Sequence, residues 1–200
     1  KIKSGSHFDV VSLDAERNRL SNLFRNNGYY YYQPSYASYR ADTVNTPGKV
    51  KLDVELADNL PEKALKKWYI GNISINLRRT FMEELKDSIH YYFFHAYFNG
   101  KKPPVRPRVI MSDMKLRHGQ PYDYSKHTES NNRIASKGMF SSVDFQFTPR
   151  DTTAACDTLD LLLNCVFDKP YDFYVETNYK GKTTGRMGPA MTIGFTKRNA

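Results

Sequence analysis

The sequence predicts an α+β protein in which helices cover one face of small mixed sheets, and three observations lead there. The first is a repeat. Gly5, Phe8 and Asp9 recur as Gly119, Tyr122 and Asp123 with identical spacing, and each set opens a helical stretch that stops at a glycine, Gly28 or Gly138. The second is the run of aromatic strand positions after each of these glycines, Tyr30 and Tyr32 in the first copy, Phe140, Val143, Phe145 and Phe147 in the second. The third is strict alternation. Val50, Leu52, Val54 and Leu56 begin 22 residues past Gly28, and Leu159, Leu161, Leu163, Cys165 and Phe167 begin 21 past Gly138. A period of two marks half-buried strands.

In chain order, the first element is a helix from about Val10 to Asn26, with Val10, Leu13, Leu20 and Phe24 on one face and Asp9 as its N-cap. The aromatic run Tyr29 to Arg40 reads as strand, Val44 to Gly48 as turn, and Asp58 to Pro61 as a boundary. Trp68 to Leu77 reads as a strand with Tyr69, Gly71, Ile73, Ile75 and Leu77 on one face. An aromatic insertion comes next, from about Thr80 to Pro104, in which Ile89 to Phe98 is read as strand. A short helix from Arg108 to Leu116 ends near Gly119. At the end Phe173, Val175, Thr177 and Tyr179 alternate, Lys180 to Lys182 and Gly185 to Gly188 turn the chain, and Met191, Ile193 and Phe195 alternate again. This hairpin reads as the start of a further domain. The expected units are 1–60, 61–169 with the insertion at about 80–104, and 170–200. Compared with the second copy, the first lacks an opening strand and most of a first helix, which leaves an unpaired strand edge.

The 200 residues are 40% hydrophobic and 26% charged, enough for one medium domain or two small ones. The longest apolar run, around Tyr91 to Phe94, falls far short of the roughly 20 residues of a membrane-spanning helix. The opening residues lack the apolar core and cleavage site of a signal peptide, so the sequence is expected to begin inside a longer protein or after processing. A net charge of +9 raises nucleic-acid or anionic-membrane binding, but the basic residues are scattered among Asp53, Glu55, Glu83 and Glu84. Cys156 and Cys165 are too few for a zinc site. On one strand they would stand about 30 Å apart, at ~3.3 Å per residue, beyond disulfide reach. Among five histidines, His90 and His95 are the one close pair, and on a single strand they would point to opposite faces.

These residues resemble the BamA/TamA family of bacterial outer-membrane assembly factors, whose periplasmic POTRA modules run strand, helix, helix, strand, strand. The resemblance rests on Phe8, Leu13 to Arg17, Arg19-Leu20, Arg25 to Pro34 and Ala41-Asp42-Thr43 in the first unit. In the second it rests on Gly119, Tyr122, Ile134, Gly138-Met139-Phe140 and Val143 to Pro149. The flavour is that of TamA-like proteins of Bacteroidetes. Val175 to Tyr179, Gly188 and Gly194 to Asn199 resemble the first strands of the family's membrane barrel. The resemblance implies tandem POTRA-like modules followed by the first strands of an outer-membrane β-barrel. The long aromatic insertion departs from a minimal POTRA.

The function this implies is a periplasmic scaffold at the outer membrane. It would dock unfolded outer-membrane or surface proteins by β-augmentation and help their insertion or export, with periplasmic accessory subunits as further partners and no cofactor, metal or nucleic acid. Client-strand contacts are expected at Tyr30, Tyr32, Tyr36, Phe140, Val143, Phe145 and Phe147. Tyr91, Tyr92, Phe94 and Tyr97 of the insertion are expected either to meet a partner or the barrel mouth, or to cover their own unit's sheet. No catalytic constellation stands out, so no enzyme activity is expected. The alternatives are a basic, tyrosine-rich nucleic-acid or polyanion binder, with tyrosines stacking on bases, and a glycan-processing enzyme using Glu16, Asp123 or Glu129, for which no carboxylate pair is evident.

Overall fold

The computed structural model describes residues 2, 4–44, 48–169, 171–181 and 187–197. The turns read at Asn45 to Pro47 and Lys182 to Arg186, and the terminal Arg198 and Asn199, lie outside them.

Helix α1 (Val10–Arg25) starts where Asp9 accepts hydrogen bonds from the N–H groups of Val11 and Ser12, each 3.2 Å. Its inner face is Leu13, Glu16, Leu20, Ser21 and Phe24, while Val10, expected inside, is exposed. Glu16 is tolerated there because Arg19 donates to it from Nε and Nη2, at 2.9 and 2.7 Å. The Arg19 hydrogen bond pulls the Glu16 pKa down to about 2, against the opposing effect of burial. Gly28, with φ +100°, reverses the chain. The residues after it do not enter a strand at once. They turn through Tyr29 to Tyr32 and a 3-10 turn at Pro34–Tyr36 before strand β1 (Ala37–Asp42) pairs antiparallel with β2 (Lys51–Leu56). Helix α1 leans on β1, where the Tyr39 hydroxyl donates to the Leu13 carbonyl at 3.4 Å. Val50, beside β2, and Val54 and Leu56 within it stay exposed rather than half-buried.

A single turn, α2 (Glu62–Leu65), supplies the Lys63 carbonyl that accepts from the buried Trp68 indole at 2.8 Å. Beyond it lie β3 (Tyr69–Arg78), β4 (Asp87–Tyr91), β5 (Phe94–Phe98), α3 (Pro107–Asp113), α4 (Tyr124–Ala135), β6 (Phe140–Pro149), β7 (Thr158–Phe167), β8 (Tyr171–Gly181) and β9 (Met187–Lys197). Strands β3 to β7 form one mixed sheet in the order β4-β5-β3-β7-β6. Strand β3 runs parallel to both its neighbours. One face of this sheet carries Ile73, Ile75, Leu77, Leu161, Leu163 and Cys165, and it packs with Ile110, Met111, Met114, Leu116 and Ile134 from the helical layer. Burial pushes the Cys165 thiol pKa up to about 12. Both cysteines are free, and Cys156 sits in the loop before β7 rather than on the strand.

The helix starts and stops repeat in the structure. Asp123 caps α4 as Asp9 caps α1, accepting from the N–H groups of Ser125 and Lys126 at 2.9 and 3.2 Å. Gly5 and Gly119 share positive φ, as do Gly28 and Gly138. Asp123→Ala is expected to cost about 1 kcal/mol in urea unfolding, the usual weight of a lost N-cap.

Two details differ from the expected pattern. Ile70 pairs with Leu159 and Ile73 with Leu161, so three steps along β3 match two along β7. This bulge turns Ile70 into the core and leaves Tyr69 and Gly71 off that face. The insertion, meanwhile, forms the β4–β5 hairpin and extends the unit's own sheet, with Ser74, Ile75 and Asn76 opposite His95, Ala96 and Tyr97.

Strands β8 and β9 pair over eleven positions. Phe173, Val175, Ile193, Phe195 and Met191 are exposed on one face, with Tyr171 stacked on Phe195 at 5.6 Å. The other face carries Asp172, Tyr174, Glu176, Thr192 and Thr196. No helix among the described residues is long and apolar enough to cross a membrane, which leaves strands aside.

Candidate functional site

Strand β6 is the last strand of the sheet. It bonds only to β7 among the described residues, so its outer margin carries unpaired main-chain donors and acceptors. Ten residues span roughly 33 Å at ~3.3 Å each. Phe140 is buried, and Val143, Phe145 and Phe147 are half-buried on the helix side, where Phe145 and Leu163, and Phe147 and Leu161, are cross-strand pairs. Ser141, Asp144, Gln146 and Thr148 are exposed. The strand is held by packing on one face and by one ladder, while its second ladder is open.

Behind this margin sits an aromatic cluster that joins the two units. Tyr122, with no exposed surface, meets Tyr30 edge-on at 4.9 Å and Phe147 at 5.3 Å. His127 lies against Phe145 and Phe147, with centroids 5.0 and 5.1 Å away, and a 3.1 Å hydrogen bond joins its Nδ1 to the Tyr122 hydroxyl. Arg25 of α1 stacks over Tyr124 at 4.0 Å, the Asn26 side chain accepts from the Ser125 N–H at 3.0 Å, and the Trp68 N–H donates to the Gly28 carbonyl at 2.8 Å.

Burial first, and the charge of Arg25 second, depress the His127 pKa below its ordinary 6.5. As pH falls through that value the unfolded chain takes up a proton that folded His127 refuses. Stability is therefore expected to decline from about pH 6.5 downward until the depressed folded pKa is passed. His127→Gln should flatten that part of the pH profile of urea midpoints relative to the parent chain. An unchanged slope would show that His127 carries none of it.

The tyrosines expected to meet a client strand are placed otherwise. Tyr30 and Tyr32 precede β1 because the Gly28 turn and Pro34 keep the chain out of a ladder. Tyr32 is 4% exposed and stacks on Phe24 at 4.4 Å, and Tyr30 belongs to the junction between the units. Tyr36 lies in the 3-10 turn, half-buried, with its ring 5.7 Å from that of Tyr32. In the insertion, Phe94 is buried core and Tyr91 stacks on it at 4.5 Å. Tyr97 is half-buried on the opposite face, and Tyr92 is 93% exposed at the hairpin tip.

His90 and His95 share a face because a hairpin turn separates them. They are cross-strand partners whose Nδ1 atoms are in hydrogen-bond contact. No group of three or more His, Cys, Asp or Glu suited to a metal occurs among the described residues. The carboxylates weighed for glycan chemistry are engaged: Glu16 with Arg19, Asp123 as a helix cap, and Glu129 with Arg133 at 2.7 Å.

The fold defines a class: a β-α-α-β-β unit of POTRA-like fold with an added hairpin, open along one long strand among the described residues. No protein-family model matches the chain, and no curated protein matches it. Among solved structures it is similar to BamA from Haemophilus ducreyi lacking POTRA domains 1–3. That likeness has TM-score 0.57 and 12% identity over 98% of this chain and 30% of the BamA chain. It also matches POTRA1–3 of Omp85 from Anabaena, with TM-score 0.40 and 16% identity over 82% of this chain and 54% of the other. The first likeness shows the fold, and this chain spans less than a third of that BamA chain's length.

Proposed function

We propose that this chain is the membrane-proximal periplasmic arm of an outer-membrane assembly factor of the BamA/Omp85 family, of the TamA-like kind found in Bacteroidetes. It docks extended, unfolded outer-membrane or surface proteins and works without catalysis or cofactor. In this reading residues 1–60 and 61–169 are POTRA-like modules, and 170–200 begin a membrane β-barrel. Periplasmic accessory subunits complete the assembly.

The observation that supports docking is the open margin of β6. A guest strand would complete its ladder with main-chain hydrogen bonds, each worth about 0.5–1.5 kcal/mol net, and would add side-chain contact along Val143, Phe145 and Phe147. Main-chain recognition tolerates many guest sequences. Support for the membrane hairpin comes from its two eleven-residue strands, with Phe173, Val175, Met191, Ile193 and Phe195 on one face, close to the 9–11 residues of a tilted transmembrane strand.

The test is amide hydrogen exchange on the full chain with and without an extended, alternating apolar-polar peptide. Protection is expected along Ser142 to Thr148 and absent along Ser88 to Tyr91. A peptide that binds without protecting β6 amides, or that protects β4 instead, would overturn the assignment.

A further inference from the structure

The connections at one end of the large sheet gather around the root of the β8–β9 hairpin. Strand β7 ends at Phe167 and β8 begins at Tyr171. Arg78, the last residue of β3, lies opposite Val166, and Asp87, the first of β4, lies opposite Phe98, the last of β5. Phe140, the first of β6, lies opposite Phe167. The loop 79–86 and the turn at Asn99 to Lys102 therefore occupy the end from which the hairpin departs.

That loop is clamped from inside. The Glu83 carboxylate accepts from the Arg79 N–H and from Asn99 Nδ2, the latter at 3.3 Å. Asp87 accepts from the Gly100 N–H at 2.9 Å, and Arg78 Nη1 donates to the Phe81 carbonyl at 3.1 Å. The effect is to present two apolar side chains to solvent, Phe81 at 70% and Met82 at 93% exposure. Exposed Arg79, Lys101 and Lys102 flank them, and Glu84 is paired with Lys86 at 3.8 Å. Residues 78–102 hold five Lys or Arg against three Asp or Glu. An apolar tip with Arg79, Lys101 and Lys102 exposed around it, and Glu84 as the exposed carboxylate next to it, beside strands with an exposed apolar face, has the chemistry of a lipid interface.

We propose that this loop rests on an anionic phospholipid surface, with Phe81 and Met82 entering the headgroup region and Arg79, Lys101 and Lys102 facing phosphates. The proposal rests on reading β8–β9 as a membrane hairpin, because that reading brings the bilayer to this end. The loop thus sets how closely the arm approaches the membrane, a task for the part of the insertion that does not pack on its own sheet.

The experiment uses the full chain in a Cys156→Ser background, with an environment-sensitive fluorophore at Met82→Cys or, separately, at Phe173→Cys. It is titrated with vesicles of phosphatidylethanolamine and phosphatidylglycerol, or of phosphatidylcholine alone. The probe at 82 is expected to shift to the blue with anionic vesicles, and lipids spin-labelled near the headgroup should quench it. High salt should abolish the response. In the unlabelled chain, Arg79→Glu with Lys101→Glu, and separately Phe81→Ser with Met82→Ser, should each weaken vesicle partitioning by about tenfold. An aqueous probe at 82 with a buried one at 173 overturns the loop proposal and leaves the hairpin reading standing. A lipid response at 82 with none at 173 supports the loop contact and removes the hairpin reading, and silence at both removes both.

Discussion

Tyr122→Ala is expected to lower unfolding free energy by about 3–5 kcal/mol, the range for deleting a buried aromatic. Tyr122 is where the two units and the open strand meet. Its ring touches Tyr30 from the first unit and Phe147 from β6, its N–H donates to the Trp68 carbonyl at 2.8 Å, and its hydroxyl reaches His127. Burial above all raises its pKa to about 12, so the hydroxyl stays protonated across the working range. Tyr122→Phe keeps the packing and removes one hydrogen bond, for which about 1 kcal/mol is expected. Urea unfolding of both variants separates the two contributions. A loss under about 1 kcal/mol for the alanine would mean that Tyr122 does not join the units.

Gly71→Val should also be damaging. A Cβ at position 71 would fall 2.6 Å from Arg150 Nη2 and 2.7 Å from Thr158 Cγ2, with the Asp160 carboxylate closer still. Those groups form the clamp of the β3 bulge. Asp160 accepts from the Asn72 N–H and from Arg150 Nη2, both at 2.7 Å, and His118 Nδ1 donates to the Gly71 carbonyl at 2.7 Å. Burial pushes the Asp160 pKa upward, but the Arg150 and Asn72 hydrogen bonds, with attraction from Arg150 and His118, bring it below the ordinary value. Adding a branched side chain must part this clamp or shift the strand, a change of about 1–3 kcal/mol. Faster amide exchange at Ile70 to Ile73 should accompany it. A Gly71→Val chain as stable as the parent, with Asp160→Ala strongly destabilised, would mean that the ion pair holds the bulge and the lack of a side chain does not.

What the sequence made legible was whatever depends on near neighbours. Asp9 and Asp123 cap their helices because a short carboxylate two or three residues upstream of a free N–H reaches it in any context. Gly28 and Gly138 stop them because positive φ suits glycine. The alternation from Leu159 to Cys165 gave the burial of β7 correctly. Long-range pairing was less legible. Alternation along Trp68 to Leu77 assumes an unbroken period of two, and the bulge that brings Ile70 inward depends on Arg150 and Asp160, some eighty residues away. Aromatic density left the insertion open to a partner or to its own sheet, and Phe94, Ala96 and Phe98 are core because β5 takes the flank of β3. Tyr30 and Tyr32 have strand-like composition and lie in turns, since their packing on Tyr122, Phe147 and Phe24 outweighs local preference. Of the expected client contacts, the four on β6 are the ones that lie along an open margin.

The place of β7 in the sheet has a mechanical meaning. It is held by β3 on one side and β6 on the other, and the chain runs on from its end into β8. A pull transmitted from the hairpin acts along β7, so two ladders share the load at once, in shear. A pull sideways on β6 meets its single ladder one bond at a time. The unit is thus stiff along β7 toward the hairpin and compliant at its outer strand.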